Sequence, residues 1–159
     1  MNSAYLLLGS NIEPEKNIMM ALNYLRNNFH IVEISNTWQT KPVGTKADDF
    51  LNTAVHLETQ LNAYELKEKC LCQIEELLGR VRQEDKNAPR TIDLDIVIFN
   101  EIIMEADLFN FEHMALPFSE LIPELFDPKK KISLGRLAEN MKQKTHAKKF
   151  KCLLPAFQK

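Results

Sequence analysis

Two stretches with apolar residues at helical spacing separate four stretches patterned as strands, and this order restricts the fold more than any other feature of the chain. Residues 3–9 read as a buried strand, and Gly9-Ser10-Asn11 as a turn. Pro14 suits the first turn of a helix running to about Phe29, with Ile18, Leu22, Leu25 and Phe29 on its inner face. Residues 30–40 read as one strand around Trp38, residues 41–46 as a loop and residues 50–59 as a third strand. Residues 63–78 spell a second helix with Leu66, Cys70, Ile74, Leu77 and Leu78 inward and Gly79 at its stop. A charged loop over 80–90 leads to a fourth strand over 91–99. A short β-segment follows around Glu101–Met104, and Pro117 opens a further short helix that Pro123 interrupts. The order β-α-β-β-α-β predicts an α+β, ferredoxin-like sandwich with extra C-terminal elements. Its antiparallel sheet carries two helices on one face and leaves the other free for a site.

The 159 residues suffice for one domain spanning 1–159 with a full core, at 45% apolar and 26% charged residues. The segment 129–159 is basic, with Lys129-Lys130-Lys131 and Lys148-Lys149, and reads as a solvated helix and tail. A formal net charge of −2 gives no argument for a nucleic-acid partner. No apolar run approaches the ~18 residues of a membrane span, and Tyr5–Gly9 is too short for a signal peptide, so a cytoplasmic location is expected. Cys70, Cys72 and Cys152 fit no zinc or redox spacing and read as reduced packing residues. The expected partners are small molecules, with no nucleic acid and no membrane, and the chain is expected to be a monomer or weak homodimer.

The chemistry concentrates in Pro89-Arg90-Thr91-Ile92-Asp93-Leu94-Asp95-Ile96-Val97-Ile98-Phe99. On a strand, Asp93 and Asp95 project to one face about 6.5–7 Å apart, and that face continues with Val97 and Phe99. Carboxylates entering a partly apolar region need cations. Arg80 and Arg82 follow the second helix at once, and Arg90 opens the strand. Two aspartates, divalent ions and guanidinium forks suit phosphoryl-type transfer. The same Asp-Leu-Asp pattern also serves an ordinary solvated strand face, and Glu75 on the preceding helix an ordinary solvated position.

Five segments resemble the 6-hydroxymethyl-7,8-dihydropterin pyrophosphokinase family of folate biosynthesis, in family order over residues 4 to about 100. They are Tyr5-Leu6-Leu7-Leu8-Gly9-Ser10-Asn11, Thr40-Lys41-Pro42-Val43-Gly44, Phe50-Leu51-Asn52-Thr53-Ala54-Val55, Ile74-Glu75-Glu76-Leu77-Leu78-Gly79-Arg80-Val81-Arg82 and Pro89-Arg90-Thr91-Ile92-Asp93-Leu94-Asp95-Ile96. The resemblance implies a transferase in which the hydroxymethyl oxygen of the pterin attacks the β-phosphorus of ATP, transferring pyrophosphate and releasing AMP. ATP is then the co-substrate, with two Mg2+ held by Asp93 and Asp95. Arg80 and Arg90 match the catalytic arginines. Glu75 and Arg82 match nucleotide-binding positions, and Ile96 the wall of the adenine site. Thr40, Val43 and Asn52 match pterin-binding positions, and Phe50 an aromatic stacked on the pterin ring.

The chain departs from the family pattern in two places. Residues 104–117 are shortened and carry no arginine, and counting back from Pro117 brings His113 near a second stacking position and Phe111 near the missing arginine. The loop 83–88, a lid in enzymes of this type, lacks the family's tryptophan but keeps a charge at Lys86. Two other readings stay open at this point: the same two-metal transfer onto another alcohol, or a non-catalytic pterin- or nucleotide-binding module.

Overall fold

Leu6 and Leu8 point to one side of the first strand and Tyr5 and Leu7 to the other, and both sides are needed, because the sheet is covered by helices on both faces. The computed structural model describes residues 1–44, 48–81 and 89–158. The first strand, β1 (Asn2–Ser10), lies between β4 (Phe50–Thr59) and β5 (Asp93–Phe99), antiparallel to each. The short β6 (Ile102–Ile103) extends the sheet beyond β5. On the far side, β2 (His30–Ile34) and β3 (Thr37–Thr40) pair in turn with β4. The one strand expected over 30–40 is thus two, broken at Ser35–Asn36, where the Ser35 hydroxyl accepts from the Ala54 N–H at 2.9 Å.

Helix α1 (Pro14–Asn28) covers one face with Ile18, Leu22 and Leu25. The second helical segment covers the same face and is not uniform. It runs as α2 (Ala63–Glu65), a π-helical stretch Leu66–Leu71 and α3 (Cys72–Leu77), opened by a reciprocal Asn62–Glu65 capping box. A π-turn adds a residue and rotates everything downstream. The inward set is therefore Leu66, Leu71 and Ile74, with Cys70 and Leu78 packed against the same core, while Leu77, expected inside, is 62% exposed. Gly79 ends the segment with φ +82°, a left-handed turn that glycine adopts without strain.

The opposite face is half covered rather than free. Helix α4 (Glu112–Leu121) and helix α5 (Leu134–Lys142) pack Met114, Ala115, Phe118 and Leu134 onto Leu7, Ala54 and Val97. Pro117 sits inside α4 rather than opening it. The register of β5 against β1 shifts between Tyr5 and Leu6, a bulge that turns Val97 and Ile98 both toward this second cluster and sends Phe99 to the first. Phe99 therefore does not share the face of Asp93 and Asp95.

The basic C-terminal segment is built into the fold. Lys129–Lys131 turns the hairpin between β7 (Phe126–Asp127) and β8 (Ile132–Ser133). Strand β9 (Lys148–Phe150) pairs with β3 at the sheet edge, and Cys152 is buried in the main core. No helix among the described residues is long and apolar enough to cross a membrane.

Candidate active site

Where α4 and α5 stop covering the second face, a cleft of about 250 Å3 opens over the Gly9 end of β1. Its walls come from Thr40, Lys41, Pro42 and Val43 after β3, from Phe50 and Asn52 on β4, and from Arg90, Asp93 and Asp95 at β5, with His113 of α4 opposite. Gly9 matters here for closeness: a Cβ would come within 3.1 Å of the Asn52 Oδ1.

Strand alternation delivers the two aspartates to the cleft, as the sequence predicts, with Leu94 and Ile96 turned into the core. They live in different electrostatic settings. Asp93 receives Arg80 Nη1 on Oδ1 at 2.7 Å and Arg90 Nη1 on Oδ2 at 2.8 Å. Burial pushes Asp93 up, but the two guanidiniums outweigh it and hold the carboxyl below its ordinary range. Among the described residues Asp95 has only Lys67 Nζ on Oδ1, at 3.3 Å. Burial, then the charge of Asp93, pushes Asp95 above the ordinary range.

Arg90 is fixed through its backbone. Its N–H donates to Asn11 Oδ1 at 2.8 Å, and its carbonyl accepts from the Asn11 N–H at 3.3 Å. The guanidinium carbon lies 5.8 Å from the centre of the Phe50 ring. Ser10 Oγ donates to the neighbouring Thr91 carbonyl at 2.5 Å. Ser10 and Asn11 are thus positioning residues for the cleft, a role that neither a turn nor the family motif by itself assigns to them.

Glu75 is no solvated helix residue, being only 2% exposed. Beyond residue 97 the outer edge of β5 is paired by β6, but among the described residues no strand pairs it around Leu94. There Glu75 Oε1 accepts the Leu94 N–H at 2.9 Å, and Lys67 Nζ donates to the Leu94 carbonyl at 2.5 Å. Glu75 Oε2 also pairs with Arg80 Nη1 at 2.9 Å. Burial pushes the Glu75 carboxyl up, opposed by the Leu94 N–H, Lys67 and Arg80. One buried carboxylate thereby caps the strand edge and anchors an arginine that also grips Asp93. Glu75→Ala is expected to lower stability by about 3–5 kcal/mol, the loss typical when one partner of a buried ion pair is removed. Urea denaturation measures it, and a loss under about 1 kcal/mol would mean that water replaces the carboxylate.

Asn52 Nδ2 donates to Thr40 Oγ1 at 2.8 Å, and both residues are buried at the cleft floor. Val43 is exposed at the rim. His113 lines the cleft, and burial holds its imidazole below the ordinary range. Phe111 does not line it. As the residue preceding α4 it backs His113, ring centres 5.7 Å apart and planes at 27°. Ile96 is not brought to the cleft either, since the alternation that aims Asp95 at the cleft puts the Ile96 side chain in the main core. Arg82 and the loop 83–88 lie outside the described residues. Lys67 was missed altogether: it sits in the π-helical stretch, where spacing rules for an unbroken helix do not apply.

Among the described residues no group of three or more His, Cys, Asp or Glu side chains could hold a metal ion. The two aspartates nonetheless fit a hard divalent cation, which takes oxygen ligands and commonly one or two carboxylates completed by substrate phosphates.

The family model of 7,8-dihydro-6-hydroxymethylpterin-pyrophosphokinase (HPPK) matches residues 5–124. The chain is 37% identical over 129 residues to the 2-amino-4-hydroxy-6-hydroxymethyldihydropteridine pyrophosphokinase of Bacillus subtilis, covering 79% of this chain and 73% of that one. It is 33% identical over 144 residues to the protein of the same name from Haemophilus influenzae, covering 83% and 89%. Among solved structures, wild-type HPPK-DHPS of Plasmodium falciparum matches in fold with a TM-score of 0.70 at 14% identity. That match covers 90% of this chain and 46% of the other, so the chain spans under half of that longer protein.

Proposed function

The chain belongs to the 7,8-dihydro-6-hydroxymethylpterin-pyrophosphokinase family, and from that membership we infer that it transfers pyrophosphate from ATP to the hydroxymethyl group of 6-hydroxymethyl-7,8-dihydropterin, releasing AMP, in folate biosynthesis. The observation that carries the reading is the meeting, in one cleft, of two strand-borne carboxylates, a guanidinium and a buried amide–hydroxyl pair.

Asp93 and Asp95 would hold two Mg2+. When bound, these ions supply charge neutralisation and Lewis acidity at the phosphoryl oxygens. The chain's own residues do the rest. Arg80 and Arg90, engaged with Asp93 here, exchange that carboxylate for the oxygens of the transferring group once a triphosphate enters, since guanidinium forks match both partners. Asn52 and Thr40 offer an amide and a hydroxyl to the donor–acceptor edge of a pterin, and the Phe50 ring, with Val43 at the rim, supplies an apolar surface for the heterocycle. His113, neutral near pH 7, faces them as a second aromatic wall. No side chain is needed as a covalent nucleophile, because positioned cations and in-line alignment suffice for this transfer. A cytoplasmic location suits such substrates.

Incubation with ATP, Mg2+ and 6-hydroxymethyl-7,8-dihydropterin is expected to release AMP in step with pterin diphosphate, read by chromatography. Folded protein that leaves ATP intact would overturn the assignment. AMP release with other hydroxymethyl heterocycles but not this one would move it to a different acceptor.

A further inference from the structure

Among the described residues, three carboxylates and three cationic groups form one ion-pair network behind and beside the cleft. Asp93, Asp95 and Glu75 are matched by Arg80, Arg90 and Lys67. Two of the cations are guanidiniums on Asp93, which is the partner they would leave for phosphate oxygens. Lys67 is different in chemistry and in place. Its ammonium is a compact point charge, closer in character to a metal ion than a planar fork is. It is surrounded by oxygens: the Leu94 carbonyl at 2.5 Å, Asp95 Oδ1 at 3.3 Å and Glu75 Oε1 at 3.8 Å. It bonds one oxygen of Asp95, and among the described residues Oδ2 makes no hydrogen bond.

We propose that Lys67 is a positioning residue that makes divalent-cation binding at Asp95 depend on nucleotide. The inference rests on the reading of Asp93 and Asp95 as the cation ligands. Two effects act together. The ammonium fixes the Asp95 carboxylate through Oδ1 and leaves Oδ2 to the cation. Its charge also offsets that of the neighbouring carboxylates, so the empty cleft offers a free divalent ion a weaker negative field at Asp95. A triphosphate changes that balance. It brings its own negative charge and oxygen ligands and draws the two guanidiniums to itself, and only then is Asp93–Asp95 a net anionic pair. The cation therefore enters with the nucleotide rather than before it. Without the Lys67 charge the field at Asp95 is more negative by one unit charge, and the free ion binds more tightly.

The anchoring of the ammonium supports this role over that of a surface lysine. Lys67 leaves the π-helical stretch to reach the unpaired edge of β5, where its bond to the Leu94 carbonyl ties the charge to the backbone between the two aspartates. A lysine serving only solubility has no reason to be held there.

Mn2+ alone is the probe, titrated at pH 8 by electron paramagnetic resonance into the full chain, with and without a non-hydrolysable ATP analogue. Lys67→Met preserves the apolar stem and removes the charge, and is expected to bind free Mn2+ about tenfold more tightly than the unsubstituted chain, the effect of one unit charge near a divalent ion. With the nucleotide analogue present the two are expected to agree within about threefold, because the triphosphate then supplies most of the ligands. Lys67→Arg is expected to restore the weak free-ion binding. Equal free-ion affinity in Lys67→Met, or an equal gain with and without nucleotide, would overturn the proposal. The double variant Lys67→Met, Asp95→Asn separates this failure from that of the parent reading. Loss of the extra Mn2+ binding in the double variant places the ion at Asp95 and supports the role of Lys67. Its persistence would place the ion elsewhere and overturn the metal assignment together with the inference.

Discussion

Replacing Asp95 with asparagine is expected to lower turnover by about 10³-fold or more while leaving the protein as stable as before. A divalent ligand set built on two carboxylates loses several kcal/mol of transition-state stabilisation when one becomes a neutral amide, and each ~1.4 kcal/mol is a factor of ten in rate. Stability is spared because Asp95 is the electrostatically poor member of the pair. It is 40% exposed and bonded to a lysine at 3.3 Å, and burial and the neighbouring Asp93 both oppose its charge. Removing that charge relieves repulsion and gives up a partly solvated ion pair of little worth. Steady-state kinetics and urea denaturation on the same preparation check both halves, the second to within about 0.5 kcal/mol. A variant that keeps more than a tenth of the activity would show that Asp95 holds no ion. A variant that loses activity and stability together would make the carboxylate a structural element.

Arg90→Ala is expected to lower turnover by on the order of 10²-fold or more, the scale seen when one charge partner of a transition state is removed, about 2.7–4 kcal/mol. Arg90 suits that role because its position does not depend on the group it grips. Asn11 holds its backbone at both the N–H and the carbonyl, and the guanidinium lies beside the Phe50 ring. The fork can therefore leave Asp93 without its strand moving. The loss is expected mainly in kcat, since a group engaged with Asp93 in the resting cleft contributes to phosphate binding only as the charge develops. Arg90→Lys is expected to recover part of it, an ammonium replacing the charge but not the planar fork. A tenfold loss or less would make the Arg90–Asp93 pair a structural one.

The strand patterning and the family resemblance together made most of this cleft legible. Residues 50–59 read as a strand and form one, and period-two alternation alone aims Asp93 and Asp95 the same way. Thr40, Val43, Phe50, Asn52, Arg90 and His113 converge on those carboxylates although they are up to 73 positions apart in the chain. Part of what the sequence concealed has a common physical origin, a local departure from a regular period. The π-turn at Leu66–Leu71 moved Leu77 out and hid Lys67. The bulge in β5 sent Phe99 to the other face. A proline within α4 reads as a helix start because its missing N–H is harmless only in the first turn, yet the helix here tolerates it further in. The side chains of 148–150 are exposed, as the reading of a solvated tail has it, but their backbone pairs with β3, and charge on an edge strand looks the same in sequence as charge on a tail. Ile96 is matched to an adenine-site wall by resemblance alone, and the alternation that turns the Asp95 side chain to the cleft turns that of Ile96 into the main core.

The pairing of β3 with β9 has a consequence for how the molecule is made. Strand β3 leads straight into the Thr40–Val43 wall, yet its outer neighbour lies over a hundred positions later, and the Cys152 N–H that follows it closes onto Asn36 Oδ1 at 3.2 Å across 116 residues. A nascent chain emerging from the ribosome can assemble α1 on β1, β4 and β5 well before residues 148–150 exist. During that interval the margin of β3 is an open template for foreign strands. The three consecutive positions Lys148, Lys149 and Phe150 act as a late latch, so the yield of usable protein in a cell depends on how promptly translation reaches them.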